Sequence, residues 1–588
     1  MKRIAITMLA LLAAAAAQAA GQREQRPPLA SAARAAAKFD TIHSYDVQSY
    51  TLRISLPLSC DSLIGHQRMT AAAVTEGLDT VALNCAGLTV DSVLQDGTAR
   101  GWRLANDTLY CGIAPAAAGT HFALDIFYRL GGRGADRRGY YWYPQGLQAL
   151  YPEGYTMSAP QDARWWMPCC DEPWDKADSG CAFYVTVPPG YTAACNGLLQ
   201  DTAVAGGAVT WHWREDHAIA TYLMALHASQ YVFWTDTART AAGDTIPLNY
   251  FVWPQDTALS RAVFDSVAVM MGCFSQRFGR YPFAKYGMVA VSPFMYGGME
   301  NQTITTIIRD WLSGNDQYGI AHELSHMWFG DMVTCGTWAD IWLNEGFASY
   351  CEAIYYESRT GGKPGQYMEA TFGTALTGNA NSYPIYDPPL PLIYDVSMEY
   401  AKGAWVLQML RGVMGGCSFT PAMRDYAAAN AYGTAVTSDF QKAMEKHYGG
   451  TLDWFFNEWV YRAGHPTYTT VIYYRTHPDS LAAVVRIKQT STTGELYKMP
   501  LQLACSTAIG ITSTPVLWDS LPQQELSFTE TQPIARILVD PDSWVLKSLG
   551  DAKPSLVKVV KGVRMLTPVW NKFRADSAGI AGYNLYRS

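Results

Sequence analysis

The spacing of two histidines and one glutamate restricts the fold of this 588-residue chain more than any other feature. His322 and His326 stand four residues apart, so on a helix both imidazoles lie on one face about one turn apart. Eighteen residues separate His326 from Glu345. We expect the first helix to end near Gly330 and a second to start near Trp338, which would bring Glu345 back opposite the histidines.

These three side chains form the ligand set of a zinc site. Two imidazoles and one carboxylate leave a fourth tetrahedral position open for water, which is typical of catalytic rather than structural zinc. Glu323 projects about 100° round the helix from His322 and can reach that water without being a ligand. The sequence therefore predicts one Zn²⁺ per chain, bound by His322, His326 and Glu345. Because the H-E-x-x-H pattern alone is only moderately specific, two solvated surface histidines are the alternative interpretation.

Further motifs, in a fixed order, indicate a family resemblance. The segment 297–301 reads Gly-Gly-Met-Glu-Asn, and characteristic stretches also lie at 163–173 and 278–286. Together with the zinc pattern, they resemble the gluzincin zinc aminopeptidases, which include the alanyl and leucyl aminopeptidases and leukotriene hydrolase. The resemblance covers about residues 45–546. It implies an enzyme that removes residues one at a time from the free N-termini of peptides.

The resemblance implies roles for two catalytic side chains. Glu323 would accept a proton from the attacking water and pass it to the leaving amine. Tyr400, in the stretch Tyr-Ala-Lys-Gly at 400–403, would stabilise the oxygen anion that forms during attack. A lone tyrosine in a helix is otherwise most often structural.

The resemblance also implies how the substrate amine is recognised. Glu300 would pair with the free ammonium. The residues expected to line the substrate backbone along an edge strand are Gly297, Gly298 and Met299. One departure concerns a stretch before Ala163, where many family members supply a glutamine and a glutamate to the amine; this chain has Met157 and Ala159. Neither side chain can bind an ammonium, so amine recognition would depend on Glu300.

Hydrophobic periodicity changes twice along the chain and predicts an α+β multidomain fold. Alternating apolar residues such as Tyr50, Leu52 and Ile54 predict an N-terminal all-β domain over 45–235. Helical spacing dominates 236–465, where the resemblance implies a thermolysin-like mixed α/β catalytic domain. Strand patterns return over 466–550 and predict a small β-sandwich. The large C-terminal helical domain of many family members is not expected.

The two ends of the chain carry other signals. Residues 1–20 combine Lys2 and Arg3, an apolar run and an Ala-Gln-Ala cleavage pattern, which predicts a signal peptide. Residues 21–44 are typical of a linker, and 551–588 form a tail with a partial fibronectin type III-like segment. We therefore expect export, to the periplasm or outside the cell if the source is bacterial. No later run is expected to cross a membrane.

Composition excludes some classes of function. The net charge is -7 with no basic block, so a nucleic-acid partner is not expected. The 12 cysteines are scattered, and both disulfide pairs and buried thiols are consistent with the sequence.

Two alternative functions stay open from sequence. A zinc endopeptidase of thermolysin type would share the ligands but has no use for Glu300. A non-catalytic peptide-binding relative would usually lack Glu323 or a zinc ligand, and all are present here. Lipid epoxide hydrolysis has no supporting feature. The preferred N-terminal side chain, the physiological substrate and the oligomeric state are not determined by the sequence.

Overall fold

A computed structural model describes residues 44–550 with short gaps at 58, 60, 132–137, 147–148, 241, 377–381, 478–479, 508–509, 514–515 and 530–533. The predicted signal peptide, the linker up to residue 43 and the C-terminal tail lie outside the described residues. The described chain divides into two compact units between Arg462 and Ala463. The predicted boundary between the β-domain and the catalytic domain falls inside the first unit.

The N-terminal part of the first unit consists of β-sheets, because apolar residues alternate along its strands. In Tyr45–Ser55, Tyr50, Leu52 and Ile54 point into the core while Arg53 is exposed. The largest sheet has, in spatial order, the strands Leu198–Ala205, Ala208–Glu215, Cys181–Val187, Tyr45–Ser55, Leu63–Ala73, His121–Leu130, Thr89–Gln95 and Thr98–Ala99. The smaller sheets comprise Leu78–Asn84, Thr108–Ala116 and Trp102–Ala105; Thr192–Cys195, Leu226–Ser229, Glu153–Met157 and Gly139–Tyr143; and Lys176–Ala177 with Ile219–Ala220.

A mixed sheet begins the predicted catalytic region. Its strands, in spatial order, are Val232–Arg239, Thr245–Val252, Tyr286–Val291, Thr305–Ile308 and Gly298–Met299. Gly298 pairs antiparallel with Ile307, and Met299 with Thr306. The Gly-Gly-Met-Glu-Asn motif therefore forms the edge of this sheet, as expected. A further two-stranded pair joins Thr334–Cys335 to Thr434–Ala435.

Helices cover this sheet and complete the first unit. The α-helices are α1 Thr257–Phe264, α2 Val267–Phe278, α3 Asp310–Gly314, α4 Gln317–Ser325, α5 Trp342–Thr360, α6 Pro364–Phe372, α7 Gly403–Met414, α8 Gly416–Ala429, α9 Thr437–Tyr448 and α10 Asp453–Trp459. Short 3₁₀ turns lie at Ala163–Trp165, Thr221–Leu223, Pro254–Asp256, Trp338–Asp340, Gly373–Leu376 and Leu390–Leu392, and a π-helix spans Val396–Lys402.

The helix with the histidine motif is shorter than the sequence suggests. Helix α4 starts where the Asp316 side chain accepts a hydrogen bond from the Gly319 amide (2.9 Å). It ends at Ser325, not near Gly330, and His326 is its capping residue. A tight turn takes over because the Asp331 amide donates to the His326 carbonyl (2.9 Å).

One helical stretch, Pro254–Phe278, is long and apolar enough to cross a membrane by length and composition alone. The sequence analysis expected no such run. The stretch is broken into a 3₁₀ turn and two helices, and Met270, Met271 and Phe274 are buried in the first unit. A buried core helix passes the same test, so the finding is weak evidence for a membrane span.

The second unit has strands where the sequence predicts a β-sandwich. Its sheets comprise Gln523–Thr529, Ser480–Ser491, Pro466–His477 and Ser548–Leu549; Met499–Leu501 with Leu517–Asp519; and Gly510–Ser513, Leu503–Thr507 and Ile534–Val539. Its longest pairing runs from Pro466 opposite Ser491 to His477 opposite Ser480.

The cysteines of the described first unit, from Cys85 to Cys417, form no disulfide. All except Cys417 are buried. Burial raises the pKa of a thiol, as at Cys85, where the pKa rises to about 12. These residues therefore act as small apolar core side chains.

A buried asparagine ties the edge strand to the N-terminal region. The Asn196 amide donates to the carbonyls of Leu223 (2.9 Å) and Gln302 (2.6 Å). Its oxygen accepts from the Ala225 amide (2.7 Å). Gln302 follows the motif directly, so Asn196 helps to fix the position of Glu300.

Asn196→Ala is expected to lower the free energy of unfolding by about 2–4 kcal/mol, because it leaves buried backbone groups without their partners. Denaturant unfolding measures the change. Thr202→Ala, at an exposed strand position, is the matched control and should change stability by less than ~0.5 kcal/mol. Equal stability of the Asn196→Ala variant and the native protein would contradict this role.

Candidate metal centre

Helix α4 and helix α5 bring the three predicted ligands together. His322 Nε2 lies 3.5 Å from Glu345 Oε2, and His326 Nε2 lies 3.6 Å from the same oxygen. One possible ligand atom from each residue falls within 4.8 Å of the others, and all three residues are buried. The predicted return of Glu345 to the two histidines is confirmed, and the solvated-surface alternative is wrong.

Hydrogen bonds on the far side of each ring orient the two histidines. His322 Nδ1 contacts Glu352 Oε1 at 2.9 Å, and Tyr367 donates to the other oxygen of Glu352 (2.6 Å). His326 Nδ1 donates to the Phe329 carbonyl (3.0 Å). Since carbonyl and carboxylate oxygens only accept, Nδ1 of each ring carries a proton. Each Nε2 is therefore directed at the common space beside Glu345, where it can bind a metal that takes the place of its own proton.

The space between these side chains attracts positive charge. Burial acts to lower the pKa of His326, but the carboxylates Glu300, Glu345 and Glu323 outweigh it and raise that pKa to about 10. Burial raises the pKa of Glu323 to about 7, against the lowering effect of the two histidines. A cation bound here would replace the proton that His326 otherwise holds.

The donor set fits zinc. Two imidazole nitrogens and one carboxylate oxygen are the ligands that catalytic Zn²⁺ takes, with a position left for water or substrate. Both histidines have the outer hydrogen-bond partners typical of metal ligands. In addition, Glu323 Oε2 is buried without a hydrogen-bond partner, which is consistent with a partner that belongs to the loaded site.

Two of the other predicted residues face the same space. Glu300 is buried, and one oxygen of it lies within 4.8 Å of ligand atoms of Glu323 and His326. Glu300 follows the edge strand Gly298–Met299 directly. The edge strand therefore delivers a carboxylate next to the metal position without using it as one of the three ligands.

Tyr400 lies beside His322. It belongs to the π-helix Val396–Lys402, which leads into α7, and is half-buried. Its ring stacks against that of His322, with centroids 5.8 Å apart and planes inclined by 14°. The sequence placed Tyr400 at the start of a helix but did not indicate the π-turn, a form that occurs often at functional sites.

Two supporting residues were missed by the sequence analysis. Glu352 follows Glu345 by seven residues, two turns along the same face of α5, and this spacing could have indicated it. Tyr222 donates to the Gly330 carbonyl (3.3 Å) and accepts from the Asn344 side chain (3.2 Å). Tyr222 thus links the turn after His326 to the residue before Glu345, and no local pattern marks it.

Met157 and Ala159 are both buried in an apolar core that also contains Met299. Their side chains have no charged atom to offer to an ammonium.

Glu352→Ala should weaken metal binding by about 10- to 100-fold, because His322 loses the acceptor that fixes its tautomer and orientation. Competition between the protein and a chromogenic chelator measures the zinc affinity. Glu369→Gln, on an exposed position of α6, is the control. Unchanged zinc affinity in Glu352→Ala would mean that His322 needs no support from α5.

Comparisons with known proteins agree with this geometry. Residues 46–223 match the Peptidase M1 N-terminal domain, and residues 263–459 match the Peptidase family M1 domain. Aminopeptidase M1 from Arabidopsis thaliana is 28% identical over 342 residues, which are 54% of this chain and 38% of that protein. The chain thus spans less than half the length of this relative.

Two of the crystal structures with a fold similar to that of this chain come from Deinococcus radiodurans and Legionella pneumophila. The M1 zinc metallopeptidase from Deinococcus radiodurans is 25% identical with a TM-score of 0.63, over 71% of this chain and 94% of that one. Aminopeptidase A from Legionella pneumophila, in complex with aspartic acid, has a TM-score of 0.73 at 17% identity, over 88% of this chain and 60% of that one. The second likeness concerns the fold alone. With both M1 domains in order and the zinc-binding side chains assembled, the chain belongs to peptidase family M1.

Proposed function

We propose that this protein is an exported zinc aminopeptidase that releases N-terminal residues from peptides. Export is supported by the leader pattern of residues 1–20, which lie outside the described residues. The activity is supported by the metal centre and by the carboxylate beside it.

The observation that carries the proposal is the excess of negative charge. Glu300, Glu323 and Glu345 face one buried space, with exposures of 4%, 6% and 1%. Glu300 is not one of the three proposed zinc ligands, and a buried carboxylate without a counter-charge is costly. A substrate ammonium beside Glu300 would supply that positive charge.

Each side chain has a distinct task in this proposal. A zinc ion held by His322, His326 and Glu345 would polarise the scissile carbonyl and lower the pKa of a water. Glu323 accepts a proton at its carboxylate and returns it to the leaving amine. The Tyr400 hydroxyl donates a hydrogen bond to the oxygen that gains negative charge.

In this proposal, the edge strand fixes which end of the peptide lies at the metal. Gly298–Met299 is the last strand of its sheet, where an extended peptide would add as a further strand. Glu300 follows at the end of that strand and pairs with the ammonium. A peptide aligned in this way places only its first peptide bond at the metal.

A thermolysin-type endopeptidase is the second candidate. The same ligands serve both activities, and the apolar Met157 and Ala159 mildly favour the endopeptidase. Glu300 favours the aminopeptidase, since internal cleavage needs no carboxylate for an ammonium. A mutant of the Deinococcus radiodurans enzyme has been crystallised with a bound Tyr-Ser-Ala substrate, which supports peptides as substrates here.

Glu323→Gln should keep zinc but lose at least ~10²-fold in kcat, because the amide cannot accept the proton. A panel of aminoacyl chromogenic amides measures the rate, and elemental analysis measures zinc. Chelation should abolish the native activity, and added zinc should restore it. Full activity of zinc-free protein would remove the basis for the proposed function.

Glu300→Gln should lower kcat/KM for free-amine peptides by about ten- to a hundredfold, as expected for loss of a charge-assisted hydrogen bond. N-acetylated peptides should be poor substrates of both proteins. The ratio of the two substrate classes is the measurement. A ratio that is the same in the native enzyme and in Glu300→Gln would favour the endopeptidase.

A further inference from the structure

Two helical glycines face each other beside the metal centre. Gly346 lies near the start of α5, and Gly403 is the first residue of α7. Both are buried, and Gly403 has ordinary helical angles, φ −56° and ψ −46°. Because glycine weakens a helix relative to alanine, the backbone conformation does not explain either residue.

The space between the two helices does explain them. A Cβ atom on Gly346 would lie 2.8 Å from both the Cα and the carbonyl carbon of Gly403, and 3.2 Å from the Glu399 carbonyl oxygen. A Cβ atom on Gly403 would lie 2.8 Å from the Gly346 Cα. All these obstacles are backbone atoms, which cannot rotate away. A methyl group at either position would force the helices apart.

This backbone contact connects two parts of the proposed site. Glu345 immediately precedes Gly346, and Tyr400 lies three residues before Gly403. The segment that carries Tyr400 is held on its other side by Lys402, whose Nζ donates to the Arg462 carbonyl (3.0 Å). A shift of α7 would therefore move Tyr400 relative to Glu345.

We propose that the Gly346–Gly403 contact is a positioning device: it sets the distance between the helix of the zinc ligand Glu345 and the tyrosine proposed to stabilise the reaction. Both glycines are positioning residues, since neither touches the substrate. The proposal rests on the proposed function, in particular on the role of Tyr400.

Gly403→Ala tests the contact. It should lower kcat by about 10- to 100-fold, since catalytic groups misplaced by up to 1 Å lose rate on this scale. KM should change by less than about threefold, and one zinc per chain should be retained. The affinity for a phosphinic peptide, whose tetrahedral anion resembles the reacting group, should fall with kcat. Gly346→Ala inserts the methyl group from the opposite helix and should reproduce these effects.

Gly272→Ala is the matched control. Gly272 also lies inside a helix, α2, but a Cβ atom there would meet nothing within 4 Å. This variant should keep the native kcat, zinc content and inhibitor affinity.

A double-mutant cycle separates positioning from general damage. If Gly403 acts through Tyr400, then adding Gly403→Ala to the Tyr400→Phe variant should lower kcat further by less than about threefold. The positioning role alone would be overturned by any of three results. These are losses of kcat that multiply fully in the double variant, native activity in Gly403→Ala, or failure of both alanine variants to fold. Lack of any aminopeptidase activity in the native enzyme would overturn the proposed function and this role with it.

Discussion

The structure of the metal centre depends on carboxylates that are buried beside two histidines. Glu300, Glu323 and Glu345 face one space, and the pKa of Glu323 is raised to about 7 by burial. Burying charge costs several kcal/mol per ion unless opposite charge and hydrogen bonds accompany it. The site is therefore stable as a cation-binding site, and the surrounding structure has to hold these groups in place when the cation and the substrate bind.

Much of that support comes from the N-terminal part of the first unit. Lys176 is buried, and its Nζ donates to the carbonyls of Asp331 (2.8 Å) and Met332 (3.1 Å), in the turn after His326. Tyr222 contacts the same turn, and Asn196 holds the segment after Glu300. These donors lie far from the site in sequence, yet they fix its loops. The N-terminal region is thus part of the catalytic scaffold as well as its neighbour.

Local patterns predicted the parts of the site that lie on single elements. The i, i+4 spacing of His322 and His326 and the glycine-rich edge strand both occur in the structure as expected. The end of α4 was predicted too late, since a tight turn closed by the Asp331 amide and the His326 carbonyl follows His326. Glu352 carried a readable signal in its spacing from Glu345, whereas Tyr222 carried none because its partners come from two distant segments.

The sequence by itself determined the ligand set, the family resemblance and the α+β class, because ligand chemistry and hydrophobic periodicity act over a few residues or along one helix or strand. Only the tertiary structure decided which Nε2 and carboxylate atoms share one space, how closely α5 and α7 approach at Gly346 and Gly403, and where Tyr400 stands relative to His322. Such distances result from the packing of whole elements against each other, and single-residue patterns do not encode them.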